Sequence, residues 1–251
     1  MIFNVKRMID TELHFASRFT NMTTEDWGLL FWNEGNKSSH DSNHAIIIDH
    51  LGVEATIKQI LSFYKGKGIT PRIYPSLKDG EYEMLKPHLE AHGFIVEPME
   101  TLKYYLHEEE SHIMPNPDME YRRLHSVDPA LQDLIIAGGG GDWLIKVAQK
   151  QLHHPSYHLI GGFIDYELVC VASVSLFAGY SRLDDVLTHP VHRGKGYSSA
   201  LIDHLIKYHK SLSDNYLYLY TAAPNAARIY EKGGFKEIPL NFTNFRAYRD
   251  L

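Results

Sequence analysis

Runs of apolar residues organise the second half of the chain. Residues 156–164 and 167–177 are separated by a short polar turn, which predicts an antiparallel β-hairpin, and residues 182–188 predict a further strand. From Tyr197 onward, apolar residues recur every three or four positions, which predicts a helix with one buried face. We therefore expect a mostly antiparallel sheet with helices packed against it.

A similar pattern extends toward the C-terminus. Residues 215–221 alternate tyrosine with leucine, as a half-buried strand does. Asn225 is a good N-cap for a short helix, which the glycine pair at 233–234 ends. Two closing strands are expected after this helix, in "GFKEIPL" and in "NFRAYRDL" (244–251).

The first half of the chain has a weaker pattern. Residues 1–43 mix amphipathic pieces with polar loops. The elements predicted after them are a strand, a helix, a strand and a helix, at 44–49, 53–68, 70–75 and 80–93, and then one or two strands in 94–106. The acidic and then Pro- and Asn-rich stretch 108–118 is the best linker candidate. We therefore predict one domain at 1–115 and a second at 116–251.

A weak internal similarity crosses this linker. Residues 82–98 and 226–239 each run from a helix through glycine and phenylalanine to an acidic residue and a proline. Any helix that ends in Gly-Phe before a strand gives this pattern, but the order of the neighbouring elements also matches. We therefore predict a structural duplication, in which Leu89 takes the place of Tyr230.

Composition and charge narrow the functional classes. Hydrophobic residues make up 44% and charged residues 22% of the chain, as in ordinary globular proteins. The net charge of −6 argues against sequence-independent nucleic-acid binding, which depends on excess Lys and Arg. No run approaches the roughly 18 apolar residues of a membrane span. The lone Cys170 lies in an apolar run and predicts a buried thiol, and these features together predict a cytoplasmic protein.

The 16 histidines raise the question of a metal site. His88 and His92 are spaced to share one helix face, but Leu89 stands where a zinc-protease motif requires glutamate. The histidines within 153–158 lie in a proline-containing turn without carboxylate or cysteine neighbours. We therefore predict that the protein uses no metal.

The loop "HPVHRGKGYSS" (189–199) is the strongest chemical signal, because glycines at a helix start commonly hold phosphate. A Walker A loop does not fit, since His189 occupies its first glycine position and Gly196 follows the lysine. A dinucleotide fingerprint does not fit either, because Ser199 replaces its third glycine and antiparallel strands precede the loop. The pattern Arg/Gln-x-x-Gly-x-Gly/Ala fits from Arg193 to Ser198, with serine at the last small position.

With the upstream "LDDVLTHPVH" and the downstream "NAARIYEKGGF", this loop closely resembles the motifs of the GNAT superfamily of N-acetyltransferases, over residues 117–240. The resemblance implies the GNAT fold, an α/β fold of the α+β type with a mixed, mostly antiparallel sheet flanked by helices. The internal similarity adds the prediction of two tandem GNAT-like halves. Nothing in the first half matches the glycine loop, so that half would be a degenerate or accessory domain without a cofactor site.

The resemblance assigns the glycine loop to the pyrophosphate of acetyl-CoA. A helix N-terminus offers unpaired N–H groups and partial positive charge, and glycines let a phosphate approach closely. The residues implied in binding are Arg193, Gly194, Lys195, Gly196, Tyr197 and Ser198. For Lys195, direct phosphate contact and a solvated side chain that contributes only its backbone remain equally open.

The resemblance also assigns the strand before the loop and the helix after it. It implies that the backbone of Val186, Leu187 and Thr188 binds the pantetheine arm, with one N–H directed at the thioester carbonyl. Losing an oxyanion donor of this kind costs about 10²–10³ in rate. Asn225 matches a CoA-contacting asparagine of the family, although its type is equally explained by an N-cap.

Tyr230 matches the general-acid tyrosine of the family. A tyrosine of pKa near 10 gives its proton to a thiolate of pKa about 8.5 only against a gradient, so a lowered pKa or a water relay is expected. An acceptor amine of pKa about 10.4 must also lose a proton, which costs roughly 4.6 kcal/mol at pH 7. Asp185 matches an acidic residue of the family and is the preferred base. Asp184 should point to the opposite face of the strand, so at most one of the two should face the acceptor.

The resemblance as a whole implies an acetyl-CoA-dependent N-acetyltransferase that acts on a primary amine of a small molecule or peptide, and not on nucleic acid or at a membrane. The alternative is a non-catalytic acyl-CoA-binding regulatory module, which an intact loop without a suitable base would produce. The sequence leaves open which amine is the acceptor and whether the protein forms a homodimer.

Overall fold

The computed structural model describes residues 2–250. The α-helices among these residues are α1 (Val5–Leu13), α2 (Val53–Lys67), α3 (Glu81–Ala91), α4 (Pro129–Ala137), α5 (Asp142–Leu152), α6 (Tyr197–Leu212) and α7 (Pro224–Lys232). The β-strands in the same range are β1 (Asn21–Glu25), β2 (Gly28–Trp32), β3 (His44–Ile47), β4 (Arg72–Tyr74), β5 (Ile95–Pro98), β6 (Lys103–His107), β7 (Glu120–Leu124), β8 (Tyr157–Ile164), β9 (Glu167–Leu176), β10 (Tyr180–Thr188), β11 (Tyr216–Thr221), β12 (Phe235–Ile238) and β13 (Phe245–Tyr248). Every element predicted in 44–106 and after residue 156 is present, although Leu251, at the end of the last predicted strand, lies outside the described residues.

The described chain divides into two compact units. The C-terminal unit comprises the first residues up to Asn4 together with Lys103–Pro239, and the N-terminal unit comprises Val5–Leu102 together with the residues from Leu240 onward. Over residues 2–250, the sheet of the C-terminal unit has the order β12-β6-β11-β10-β9-β8-β7, and the sheet of the N-terminal unit has the order β1-β2-β3-β4-β13-β5. Each unit is named after the half of the chain that supplies most of it.

The two halves of the chain repeat one topology. The series β1-β2-β3-α2-β4-α3-β5-β6 in the first half matches β8-β9-β10-α6-β11-α7-β12-β13 in the second. The pairs β3–β4 and β10–β11 are parallel, and the other described pairs are antiparallel. The predicted fold class and the two tandem halves are therefore confirmed, and Leu89 and Tyr230 lie on corresponding helices, α3 and α7.

The last strand of each half lies in the sheet of the other half. β6 pairs with both β11 and β12, while β13 pairs with both β4 and β5. Without these inserted strands, each sheet would have an internal gap with unpaired backbone groups, which are costly to bury. The predicted boundary between residues 115 and 116 therefore does not coincide with the division between the units.

Apolar residues are buried on both faces of the sheet in the C-terminal unit. Cys170 and Ala172 of β9 pack in one cluster with Leu201 and Leu205 of α6, whereas the intervening Val171 belongs to a cluster with α4 and α5. Fully burying a leucine side chain contributes about 1.5–3 kcal/mol. Burial raises the pKa of the Cys170 thiol to about 12, as expected for an inert core cysteine. These packed layers hold β10 in place.

Some elements were missed by the sequence patterns. The strand β1, "NMTTE", lies at the edge of its sheet with no buried residue, so it lacks the apolar alternation that marks a strand. Helix α4 does have a recognisable start, because Asp128 precedes Pro129 and its side chain accepts a hydrogen bond from the Leu131 N–H at 2.8 Å. Over residues 2–250, none of the helices combines the length and the apolar character needed to cross a membrane.

Candidate active site

Strand β10 separates from its neighbour β11 partway along its length. The two strands pair in parallel over Tyr180–Arg182, whereas β10 continues beside β9 as far as Thr188. The register with β9 shifts between Asp184 and Leu187, and Asp185 has a left-handed φ of 53°. A bulge of this kind bends a strand and redirects its side chains. The second half of β10 is therefore available to line a site.

The glycine loop leads directly into helix α6. Gly194 and Gly196 have φ angles of 78° and 80°, in the left-handed region that glycine adopts at little cost. Gly196 is the N-cap residue and provides no side-chain cap, so the first N–H groups of α6 are left for an external acceptor. The helix dipole adds to their attraction for an anion at this position.

A cavity of about 630 Å³ is bordered by β10, the glycine loop, α6 and α7, and we call it the loop cavity. The predicted site residues that line it are Val186, Leu187, Thr188, Arg193, Gly194, Gly196, Tyr197, Ser198, Asn225 and Tyr230. Lys195 is exposed and is not part of this lining. Of the two readings left open for Lys195, the geometry favours the solvated side chain.

A second cavity of about 350 Å³, which we call the strand cavity, adjoins the loop cavity. Val186, Leu187 and Tyr230 line both cavities. Asp184 and Asp185 both line the strand cavity. The expectation that at most one of these aspartates faces this region is therefore wrong, because the bulge at Asp185 interrupts the alternation of a regular strand.

Asp185 is held by two hydroxyl groups. The Tyr157 and Ser173 hydroxyls each donate a hydrogen bond to Oδ2 of Asp185, both at 2.7 Å. Burial, and after it the charge of Asp184, raises the pKa of Asp185 from 3.8 to about 6, while the two hydrogen bonds oppose the rise. Asp185 is nevertheless only half-buried by exposed area, because it borders the cavity. It combines a fixed position with a proton affinity well above that of an ordinary aspartate.

Asp184 is held by the buried Arg182. The guanidinium Nη2 of Arg182 lies 2.5 Å from Oδ2 of Asp184 and 3.0 Å from the Tyr220 hydroxyl. The guanidinium carbon also stacks over the Tyr220 ring, 4.7 Å from its centroid. Asp184 is therefore paired with Arg182, beside Asp185.

Residues 128–235, which contain the bulged strand, the glycine loop and Tyr230, match the model of the acetyltransferase (GNAT) family. These residues form a GNAT domain. No curated protein matches the chain at a significant level.

Solved structures of GNAT proteins are similar to the chain as a whole. A GCN5-related N-acetyltransferase from Kribbella flavida superposes with a TM-score of 0.69 at 14% identity, covering 99% of this chain and 96% of that one. A tandem GNAT protein from the clavulanic acid biosynthesis pathway superposes with a TM-score of 0.57 at 12% identity, covering 81% and 74%. A GCN5-related N-acetyltransferase-like protein from Streptococcus suis gives 0.54 at 13% identity, covering 98% and 99%. At these identities the likeness concerns the fold alone.

In the GNAT domain, Tyr230 is a buried phenol between the two cavities. Its ring packs edge-on against Phe235 at 6.1 Å, and the residue is 6% exposed. Burial, and after it the charge of Asp184, raises the pKa of Tyr230 above its usual value. Of the two expectations for Tyr230, the lowered pKa is therefore wrong, and the water relay stays a prediction. Tyr230 is a firmly protonated hydrogen-bond donor.

Asn225 does not cap helix α7. The helix begins at Pro224 with Ala223 as its N-cap, and proline is preferred at a first helical position. Asn225 therefore lies in the first turn, where it lines the loop cavity. The N-cap interpretation of Asn225 is wrong, and its contact with CoA stays a prediction.

Several residues of the site were missed by sequence reasoning. Tyr157 and Ser173, which hold Asp185, lie in predicted strands, but their pairing with Asp185 depends on register across three strands. His192 lines the loop cavity and has its Nε2 atom 3.0 Å from Oε1 of Glu167. The position of His192 directly before Arg193 in the glycine loop is the sequence feature from which its place at the site could be predicted.

The histidines considered as metal ligands have other partners. Nδ1 of His88 and Nε2 of His92 lie 2.8 and 3.1 Å from the carboxylate of Glu54. Across residues 2–250, no three or more His, Cys, Asp or Glu side chains come together as a group that could hold a metal ion.

Proposed function

We propose that the protein is an acetyl-CoA-dependent N-acetyltransferase that transfers the acetyl group to a primary amine by direct attack of the amine on the thioester. The observation that carries this proposal is the meeting of two cavities. One begins at a helix N-terminus suited to phosphate, the other contains two carboxylates, and Tyr230 and the bulged strand β10 line both.

The residues around the loop cavity fit the donor. Helix α6 presents its first N–H groups beside two glycines with left-handed φ, and Arg193 is the cation of the lining. The Arg193 Nε donates to the Thr188 carbonyl oxygen at 3.2 Å, which ties the loop to the end of β10. Bound acetyl-CoA would supply an acetyl group activated as a thioester. The α6 N-terminus would hold its pyrophosphate, and Ser198 adds a hydroxyl where glycine or alanine was expected.

The corresponding loop of the N-terminal unit fits a phosphate poorly. Residues 48–52, "IDHLG", connect β3 to α2 and end in Gly52, which has a φ of 68° and is the N-cap of α2. Asp49 lies in this loop, and its carboxylate accepts a hydrogen bond from the Leu51 N–H at 2.9 Å. A carboxylate at this place would repel a phosphate, so we assign donor binding to the C-terminal unit.

Strand β10 would position the reacting carbonyl. The ladder between β10 and β11 covers Tyr180–Arg182, so the later residues Val186–Thr188 lie beyond it. An N–H from this segment, directed at the thioester oxygen, would stabilise the negative charge that develops there, an effect worth about 10²–10³ in rate. Asn225, across the loop cavity, would contact the donor from α7.

Proton transfers fall to Asp185 and Tyr230. A base works best when its pKa is near the working pH, and burial moves the pKa of Asp185 to about 6. Both hydroxyl hydrogen bonds to Asp185 go to Oδ2, so Oδ1 is the atom that would take the amine proton, directly or through water. Tyr230 would donate a hydrogen bond to the departing sulfur, and its proton would pass to the thiolate while water reprotonates the tyrosine.

The test measures binding and turnover separately. Acetyl-CoA binding is followed by calorimetry, and free CoA thiol is followed after incubation with a panel of amines. We expect binding together with amine-dependent thiol release. Binding without thiol release on any amine would favour the alternative, a non-catalytic acyl-CoA-binding module, against which the presence of Asp185 now argues.

A further inference from the structure

Apolar side chains predominate in the lining of the strand cavity, where the polar Gln151, Tyr157 and Tyr220 accompany them. Helices α4 and α5 contribute Leu131, Ile135, Leu144 and Ala148, and the sheet contributes Leu159, Val171 and Leu183. Such a surface takes an apolar group out of water, and each methylene that it buries raises affinity about fourfold. A ligand body that fits here is aliphatic or aromatic.

Charge is confined to one end of the strand cavity. Asp184 and Asp185 lie in consecutive positions on β10, next to Val186 and Tyr230, where the strand cavity adjoins the loop cavity. Among the described residues, the lining of the strand cavity contains no lysine, arginine or histidine. Arg182, the cation bonded to Asp184, is buried and is not part of the lining. The charged side chains that line this end are therefore both carboxylates.

This arrangement selects among amines. An ammonium group beside Asp184 and Asp185 would be compensated, and after it passes its proton to Asp185 the uncharged amine would face the thioester. A carboxylate on the carbon that bears the amine would lie beside the same two aspartates with no cation to receive it, and like charges brought together at a binding site cost several kilocalories per mole. A second ammonium on the ligand would lie in a mostly apolar lining, where a charge is costly to bury.

We propose that the acceptor is a small monoamine with an apolar alkyl or aryl body and no carboxylate next to the amine, bound with its body between α4, α5 and the sheet and its nitrogen at Asp184 and Asp185. This inference rests on the proposed function, since it names the substrate class of the same site. It excludes amino acids, polyamines and peptide lysines as preferred acceptors.

The experiment compares kcat/KM for matched amines with the full chain and saturating acetyl-CoA. We expect 2-phenylethylamine to exceed phenylalanine by about 100-fold, and hexylamine to exceed butylamine by about 16-fold, two factors of four. We also expect hexylamine to exceed 1,6-diaminohexane and Nα-acetyl-lysine amide. If the amino acid, the diamine or the lysine amide is used as well as the apolar amine or better, the inference is overturned while the acetyltransferase proposal stands. If acetyl-CoA binds but no amine releases thiol, the proposed function itself is overturned, and the inference with it.

A pair of variants tests the assignment of the cavity. Leu144 and Leu152 are both half-buried on α5 and both pack against the same apolar cluster, but only Leu144 lines the strand cavity. Leu144→Arg should lower the ratio of kcat/KM for 2-phenylethylamine over phenylalanine at least tenfold, because it adds to the lining of the strand cavity a long cationic side chain that can pair with the carboxylate of phenylalanine. Leu152→Arg should leave this ratio within about twofold of the wild type. The ratio does not depend on the fraction of folded enzyme, so equal ratios for the two variants would overturn the inference even if one of them folds poorly.

Discussion

At the scale of single residues, the environment of Tyr230 allows the contribution of its hydroxyl to catalysis to be measured apart from acetyl-CoA binding. The Tyr230 side chain is buried, and burial raises the pKa of its hydroxyl, which is therefore protonated. Removing the hydroxyl should therefore remove a hydrogen bond to the leaving group and leave the packing of the ring in place. We expect Tyr230→Phe to lower kcat by about 10²-fold and to leave the acetyl-CoA dissociation constant nearly unchanged by calorimetry. Unchanged kcat would remove Tyr230 from the general-acid role.

The hydrogen bonds to Asp185 predict a shift in pH dependence. The proposed base acts only when ionised, so activity should fall as the pH drops through about 6, the pKa of Asp185. The Ser173 hydroxyl stabilises the ionised form, and a hydrogen bond to a charged group is worth about 1.5–3 kcal/mol. Ser173→Ala should therefore move the acidic limb of the kcat/KM profile upward by about one pH unit.

Ser175→Ala is the matched control for this shift. Ser175 lies two positions further along β9 and is equally buried, but Asp185 is not its partner. The kcat/KM profile of Ser175→Ala against pH should coincide with that of the wild type. Ionisation of the amine substrate affects the wild type and both variants alike, so it does not contribute to a difference between them. Coincident limbs for Ser173→Ala and the wild type would show that Asp185 does not set the acidic limb.

At the scale of elements, the duplicated helices α2 and α6 offer an internal comparison. Both begin after an N-cap glycine with left-handed φ, Gly52 at 68° and Gly196 at 80°, and an added Cβ would meet open space at either position. Alanine at either site should cost about 1 kcal/mol of stability, because L-residues are strained in this conformation. The two helix starts differ in their expected ligand and not in their backbone.

We expect Gly196→Ala to weaken acetyl-CoA binding about tenfold, the equivalent of one charge-assisted hydrogen bond, and Gly52→Ala to leave it unchanged. Calorimetry gives the affinities, and thermal unfolding verifies that both variants lose similar stability. If Gly52→Ala weakened binding as much as Gly196→Ala did, donor binding would not be confined to the C-terminal unit.

Local patterns allowed most elements and the glycine loop to be predicted. The spacing of Arg193, Gly194 and Gly196 is contained in a few consecutive residues, and so are the periodicities of α6 and β11. The bulge at Asp185 could not be predicted in this way, because it depends on how β10 registers with β9 and overrides the alternation assumed for a regular strand. For the same reason, no pattern among neighbouring residues in the sequence indicates the hydrogen bonds from Tyr157 and Ser173 to Asp185.

At the scale of the whole molecule, the exchange of β6 and β13 was beyond the reach of the sequence pattern. Both strands were predicted as strands, but their neighbours lie more than a hundred positions away in the sequence. Such non-local pairing depends on which sheet leaves two strands without a neighbour between them. The alternation of apolar and polar residues within a strand does not indicate which sheet that strand joins. The predicted boundary at 115/116 followed composition, which marks a loop and not the limit of a unit.

This exchange predicts how the chain responds to a cut. Residues 108–118 contain no helix or strand, and β6 lies before them while β11, β12 and β13 lie after them. A protease site introduced in this stretch should be cleaved without releasing the two pieces, because β6 remains paired with β11 and β12, and β13 with β4 and β5. We expect the pieces to co-elute in native size-exclusion chromatography and to separate in denaturant. Separation in native buffer would contradict the exchange.

The exchanged strands also set an order of completion during synthesis. The C-terminal unit has all its strands once β12 has left the ribosome, whereas β5 must wait for β13, which is translated after every other strand. Domains generally complete folding in the order in which they emerge, the N-terminal one first. Here the half of the chain that is made first is finished last. A premature stop after Pro239 would therefore spare the sheet with the glycine loop and leave the other sheet open between β4 and β5.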